Sequence, residues 1–405
     1  MTHTLISFLG RVPKGENGYR STRYTFDGEP DQPTAFIGWS LRRRFNPDRM
    51  VILGTAGSMW DHLFEKDIVL GTEAEDERLA LQEATGTKTV TEALLEPLAP
   101  LLASRLGCEV RLVLIPYCRN EAEQLELLRI MAAEVNLGDQ VQLDVTHGFR
   151  HLPMLALLSA LHLREVKNAN IAGIWYGEYD FDTREAPVYN LAGLLRMADW
   201  IEALHTFDKD GDYGAFAELL EKDGLPTEKT NHLRRAAFRE RTSNAWEART
   251  DLRNFDAILE SGLPGVSSLF AEQLRSRIRW YKSQNLLTCQ RELAREYLQR
   301  GDYIRAAIYT FEGFVTRLVA SEKGKQESDF KDRDNARKDY QNGSYGLKTL
   351  RDDFFLLKAL RNAMAHGVRP ENDKLRPKVD RALADAESLQ QELKRLIGKL
   401  LTIRE

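Results

Sequence analysis

Five short apolar runs recur through the first half of this chain: Leu5–Gly10, Met50–Thr55, Val110–Pro116, Val141–Thr146 and Ile171–Gly177. Each is bounded by turn residues or polar sequence. Strands covered on both faces read as continuous Val, Ile and Leu, because neither face meets water. Between the runs, residues 35–45, 91–106, 121–136 and 152–166 carry the three- and four-residue apolar spacing of helices. Strand and helix in alternation predict a doubly wound, Rossmann-like α/β domain with a mostly parallel sheet. Residues 19–29 (YRSTRYTFDGE) alternate polar and aromatic side chains and read as an inserted hairpin.

From Leu191 onward strand signals vanish. The stretch LAGLLRMADWIEALHTF begins a series of amphipathic helical patterns, so the remainder is expected to be all-α. The 405 residues exceed one ordinary core, and we divide them into an α/β domain (1–190), a helical connecting region (191–300) and a terminal helical domain (301–405). Residues 321–346 are dense in charge, Gly, Ser and Asn and read as a loop. A strongly periodic helix follows and stops at Gly367, with Pro370 beyond. A last helix is expected over 377–401.

Composition narrows the class. No apolar run approaches the ~20 residues of a membrane span, and the N-terminus reads as a first strand, not an export leader. Three scattered cysteines, Cys108, Cys118 and Cys289, make neither a disulfide framework nor a zinc site and imply a reducing, cytoplasmic setting. The net charge of −4 divides into −9 for residues 1–206 and +5 for the rest, so a polyanion would meet less repulsion at the helical half.

Ligands of open parallel sheets bind beyond the carboxyl ends of the strands, where loops present free N–H groups. Four such ends here carry small residues, hydroxyls or cations. Gly10 ends the first strand. The second runs into Gly54-Thr55-Ala56-Gly57-Ser58-Met59-Trp60-Asp61, where the Trp60 indole could stack on a base. A later one runs into Thr146-His147-Gly148-Phe149-Arg150, whose guanidinium suits phosphate, and another ends at Tyr176-Gly177. Neither G-x-G-x-x-G after a strand nor a P-loop occurs, which disfavours NAD and P-loop chemistry. His147 and His151 lack the partners for a metal site, and no metal or cofactor is expected.

Near the end, Arg361-Asn362-Ala363-Met364-Ala365-His366 supplies a fixed cation and a proton-transfer group. In metal-independent RNA cleavage the 2′-hydroxyl attacks the adjacent phosphate, histidine moves protons and arginine stabilises the transition-state charge. Residues five apart on a helix point about 140° away from each other. Either the backbone turns at the helix end by His366, or a second copy in a symmetric dimer completes the site.

On these residues the chain resembles CRISPR-associated type III accessory ribonucleases that pair a CARF sensor domain with a HEPN nuclease domain, in particular the subfamily with a GTxGSxWD strand end. Here that motif is Gly54 to Asp61; the likeness extends through Asp144–Arg150 and Tyr176-Gly177 to Arg361–His366, which matches the R-x4-6-H signature of HEPN domains. The resemblance implies a homodimer that binds a cyclic oligoadenylate, with cyclic tetra-adenylate favoured, across its two-fold axis. It also implies allosteric activation of a composite, metal-independent site that cleaves single-stranded RNA. It places Gly10, Thr55, Ala56, Gly57, Ser58, Trp60, Thr146, His147, Gly148, Arg150 and Tyr176 at the activator, and Arg361 and His366, supported by Asn362, at the chemistry. The alternative is a ligand-sensing regulator without catalysis, in which the helical half binds nucleic acid or protein through the basic segment Asn231–Arg253.

Overall fold

The structure is a computed structural model that describes all residues except 1, 16–17, 66–67, 69, 149–151, 181, 184, 323, 344–346 and 403–405, and the side chain of 152. Two compact units divide the chain, residues 1–195 and 196–405. No described helix is long and apolar enough to cross a membrane.

The strands of the first unit are β1 (His3–Leu9), β2 (Lys14–Gly15), β3 (Gly18–Tyr19), β4 (Arg23–Phe26), β5 (Glu29–Pro30), β6 (Arg49–Gly54), β7 (Glu109–Leu114), β8 (Gln140–Asp144), β9 (Asn170–Gly177) and β10 (Glu185–Asn190). Eight of them form one sheet in the order β5-β4-β10-β9-β8-β1-β6-β7. The run β7-β6-β1-β8-β9 is parallel throughout, so the chain builds outward from β1 on one side and then returns to the other. That is the 3-2-1-4-5 order of a doubly wound fold, with its switch point beside β1. Alternating side chains of β1 explain the burial: Leu5 and Leu9 join the core on one face, Ile6 and Phe8 that on the other. Helices α1 (Ile37–Phe45), α2 (Glu75–Thr87), α3 (Glu92–Leu95), α4 (Ala99–Leu106), α5 (Glu121–Ala133) and α6 (Leu152–Lys167) cover these faces.

The expected hairpin at 19–29 is realised as β4 and β5, turning on Asp27 and Gly28, both at positive φ (53° and 86°), the backbone of a type I′ turn. Helix α2 had no expectation. Only Leu81, Ala84 and Thr85 of its 13 residues are buried, too few to set a period.

The second unit is helical: α7 (Gly193–Asp210), α8 (Ala215–Lys222), α9 (Thr227–Arg241), α10 (Ala245–Glu260), α11 (Ala271–Arg277), α12 (Leu286–Gln299), α13 (Tyr303–Ala320), α14 (Phe330–Asn342), α15 (Arg351–His366), α16 (Arg376–Ala382) and α17 (Ala386–Leu400). One continuous core runs from Trp200 to Leu401, so residues on both sides of position 300 share it. Two expectations are corrected here. Residues 330–342 of the expected loop form α14, which starts where the Asp329 carboxylate accepts from the Asp332 N–H. The single helix expected over 377–401 is two, because Asp385 accepts from the Ser388 N–H and starts α17 afresh.

At the centre of this unit Glu240 of α9 is buried among tyrosines. Tyr297 Oη donates to its carboxylate at 2.7 Å, and Tyr309 Oη donates to its backbone carbonyl at 2.5 Å. Burial pushes its carboxyl up to about 7, from 4.5. Well below 4.5, folded and unfolded chains both hold the proton; above 7 the folded chain must bury a charge that the unfolded chain leaves in water. The stability this group confers is therefore present at acid pH and lost as pH rises through 7. Glu240→Gln cannot ionise, so its Tm relative to wild type is expected to rise between pH 5 and 8. A difference that stays flat across that range in thermal melts would count against a protonated Glu240.

Candidate functional site

The switch point of the sheet opens a cavity of about 500 Å³ at the carboxyl ends of β1, β6, β7 and β8. Its floor is aliphatic and aromatic, with Phe8, Leu53 and Ile115, and its wall carries Thr55, Gly57 and Ser58 on one side and Thr146, His147 and Gly148 on the other. The loop after β6 is self-braced. Ser58 Oγ accepts from the Thr55 N–H at 3.0 Å, and the Ser58 N–H donates to the Thr55 carbonyl at 3.0 Å. The Met59 N–H donates to the Gly10 carbonyl at 2.9 Å, tying this loop to the end of β1.

Trp60 is corrected from ligand stacking to support. It is fully buried, and its indole N–H donates to the same Thr55 carbonyl at 2.8 Å. Its ring fills the space a side chain at position 54 would need: a Cβ on Gly54 would meet it at 2.6 Å. Asp61 is likewise buried, accepting from Tyr19 Oη at 2.8 Å and Lys14 Nζ at 3.1 Å, and so anchors the β2–β3 ribbon.

Beneath the opposite wall lies Asp144, fully buried. It accepts from Ser7 Oγ at 2.5 Å and from the Thr146 N–H at 2.9 Å, and burial pushes its carboxyl up to about 6. Thr146 Oγ1 accepts from the Gly177 N–H at 2.9 Å, which binds this loop to β9. His147 Nε2 lies 3.2 Å from Tyr24 Oη, and burial, aided by nearby His62, pushes the imidazole down to about 4. A neutral ring at physiological pH can share a hydrogen bond but cannot neutralise a phosphate. Tyr176 packs into the core on one face of the sheet and does not line the cavity. Ala56 is half-exposed but also outside the lining. Phe149, Arg150 and His151 lie outside the described residues.

Four lining residues escaped the sequence reading: Arg11, Lys88, Tyr117 and Arg119. Arg11 reaches back to donate to the carbonyls of Gly57 (3.3 Å) and Thr85 (3.2 Å), and the Arg119 guanidinium sits 4.7 Å from the centre of the Tyr117 ring. Among the described residues three cations, and no carboxylate, line the cavity. The strand-end rule that picked the other loops also covers Arg11 and residues 117–119. Lys88 caps α2 and had no signal. Such a lining suits an anionic ligand with flat apolar groups.

In the helical unit, Arg361 and Asn362 come together. Arg361 Nη2 donates to Asn362 Oδ1 at 3.1 Å, and the guanidinium lies 4.4 Å over the ring of Phe311 on α13. That stacking fixes the plane of the cation and leaves further N–H groups for a ligand. His366 is exposed and is the last helical residue; the break comes only at Gly367 (φ 69°), whose N–H donates to the Ala363 carbonyl. The turn invoked to bring His366 towards Arg361 is therefore absent, and one helix keeps the two side chains about 140° apart. A cavity of about 810 Å³ between α15, α16 and α17 does not reach them and is lined by ion-paired residues such as Asp353 and Arg395. Among the described residues no cluster of three or more His, Cys, Asp or Glu could hold a metal ion.

Much of the positive charge of the basic segment 231–253 is already committed. Arg234 pairs with Glu221, Arg235 and Arg239 with Asp251, and Arg241 with Asp212. Guanidinium groups held by carboxylates offer little to a phosphate backbone, which weighs against a recognition helix here.

Residues 4–180 match the family described as CRISPR system endoribonuclease Csx1, CARF domain. The first unit thus has the fold of a CARF domain, a Rossmann-like α/β fold with a mostly parallel sheet, followed by a helical region. Among characterised proteins, CRISPR-associated protein MJ1674 of Methanocaldococcus jannaschii is 25% identical over 248 residues, 55% of this chain but 39% of that protein. Among solved structures, Enterococcus italicus Csm6 bound to cyclic hexa-2′-fluoro-hexa-dAMP aligns over 98% of this chain and 93% of its own, at 13% identity and a TM-score of 0.38, a likeness too distant to argue from.

Proposed function

We propose that this protein is a cyclic-oligoadenylate-activated, metal-independent endoribonuclease of CRISPR antiviral defence, acting on single-stranded RNA in the cytoplasm as a homodimer. The observation that carries the reading is the cavity: at the switch point of a CARF-type sheet, three cations and, among the described residues, no carboxylate surround an apolar floor. Phosphates would meet Arg11, Lys88 and Arg119, and bases the floor. A volume of about 500 Å³ is too small for a whole ring of four adenylates, so two copies sharing one ring suit it better than one copy alone. The start of α6, just after the cavity loop, exposes Met154 and Leu158 one turn apart, an apolar face that a second copy would cover.

The nuclease half rests on α15. Arg361, stacked on Phe311, would stabilise the phosphorane-like transition state, Asn362 would hold its guanidinium, and His366 would transfer the proton. Because one helix splays Arg361 and His366, each chemical site would draw on both copies. Cleavage of labelled single-stranded RNA in EDTA, with and without cyclic oligoadenylates of different ring sizes, tests both halves. Cleavage is expected only with activator, and most strongly with the tetra-adenylate. RNA left intact under every condition overturns the nuclease, and equal cleavage without activator overturns the sensor.

A further inference from the structure

We propose that Lys358 is a second phosphate-binding residue of the RNA site, holding a backbone phosphate beside the one that Arg361 and His366 act on. This rests on the nuclease reading of that pair and goes beyond it by naming how the strand is gripped.

The register of α15 is the first support. At about 100° per residue, Lys358 stands about 60° around the helix from Arg361 and about 80° from His366, within the arc that separates them. Its Cα lies about 4.5 Å before that of Arg361 along the axis. A strand that brings a phosphate to Arg361 therefore lies within reach of Lys358 of the same copy, whichever copy supplies His366.

Charge is the second. Among the described residues neither Lys358 nor Arg361 takes part in an ion pair, whereas cations of neighbouring elements do: Arg333 with Glu312, Arg337 and Lys338 with Asp334, and Lys399 with Asp353. Lys358 is half-buried, yet no ion pair with a carboxylate among the described residues offsets its desolvation. Of the two cations near it, Arg337 of α14 is held by Asp334, and Arg361 is not paired among the described residues. Burial first, and then these two charges, push its ammonium down from the ordinary lysine value. Like charges held close on a folded surface raise the local potential, and a polyanion is the partner that relieves it. An ammonium grips a phosphate as a point charge without reading the base, so this contact adds affinity and no sequence preference.

A lysine that only covers apolar surface with its stem would tolerate methionine. Lys358→Met and Lys358→Arg therefore separate the two roles. The full-length variants are titrated with an uncleavable 2′-O-methyl single strand by fluorescence anisotropy over a salt series, and assayed on cleavable RNA with activator. Lys358→Met is expected to weaken binding roughly fivefold at physiological ionic strength and to reduce the salt slope by about 0.7, the share of one phosphate contact on a single strand. It should raise KM by a similar factor while kcat changes less than about twofold, and Lys358→Arg should restore both. Wild-type affinity and salt slope in Lys358→Met overturn the proposal. If the wild-type protein binds the strand but cleaves no RNA, the nuclease reading falls while the binding series still decides the role of Lys358.

Discussion

Replacing His366 with alanine is expected to lower activator-dependent RNA cleavage by about 100-fold or more, the ordinary worth of a positioned proton donor or acceptor, and to leave the fold intact. His366 is exposed at the last turn of α15 and makes no hydrogen bond among the described residues, so its loss should change stability by less than about 0.5 kcal/mol. The contrast with Arg361→Ala is informative. Arg361 is half-buried against Phe311 and bonded to Asn362, so its removal loses a stacking contact as well as a charge. A His366→Ala protein that melts like wild type and binds the uncleavable strand like wild type, yet does not cleave, assigns the residue to chemistry. Cleavage within threefold of wild type would sink that role. Mixing the two inactive variants adds a sharper test. If each site joins Arg361 of one copy to His366 of the other, mixed dimers of Arg361→Ala and His366→Ala contain one site with both residues intact and regain part of the activity.

The sheet was legible because its strands are buried on both faces. Runs such as Met50–Leu53 leave no polar position that could belong to a solvated helix or loop. The doubly wound class and the carboxyl-end loops as the place for a ligand then followed from general rules of open sheets, whereas the order of the strands is read only from the structure. What the sequence concealed falls into two kinds. Helices α2 and α14 bury only two or three residues each, so hydrophobic periodicity, the usual signal, is nearly absent. In α14 only Ala336 and Tyr340 are buried, at i and i+4, amid eleven polar, charged or exposed positions; caps and ion pairs such as Arg333–Glu312 hold it instead. The second kind is side-chain direction. Trp60 follows a strand and Tyr176 stands near the end of one, as good ligand residues do, yet both are taken up by packing, while Lys88 enters the cavity from the end of a helix that carried no signal. Spacing alone could not tell a buried indole from one that faces a ligand.

Gly10→Ala should abolish the response to the activator while leaving the catalytic face untouched. Gly10 directly follows β1 where the loop after β8 crosses it: a Cβ there would lie 2.8 Å from the Gly148 backbone nitrogen and 3.1 Å from the His147 Cβ. Backbone at that distance cannot be displaced as a flexible side-chain tip can. Gly148 itself holds φ 121°, and the loop is pinned by Thr146 to Asp144 and to Gly177, so the strain moves the whole wall of the cavity. Overpacking of this kind costs about 1–3 kcal/mol, which the unit should survive. The measurement is the shift in Tm on adding cyclic tetra-adenylate. Wild type at about 100 times its Kd should gain about 2.7 kcal/mol of stability, whereas Gly10→Ala should gain almost none and should cleave RNA no faster with activator than without. An equal shift in both proteins would place the ligand somewhere other than the switch point of the sheet. No shift in wild type with any ring size would remove the cyclic oligoadenylate itself.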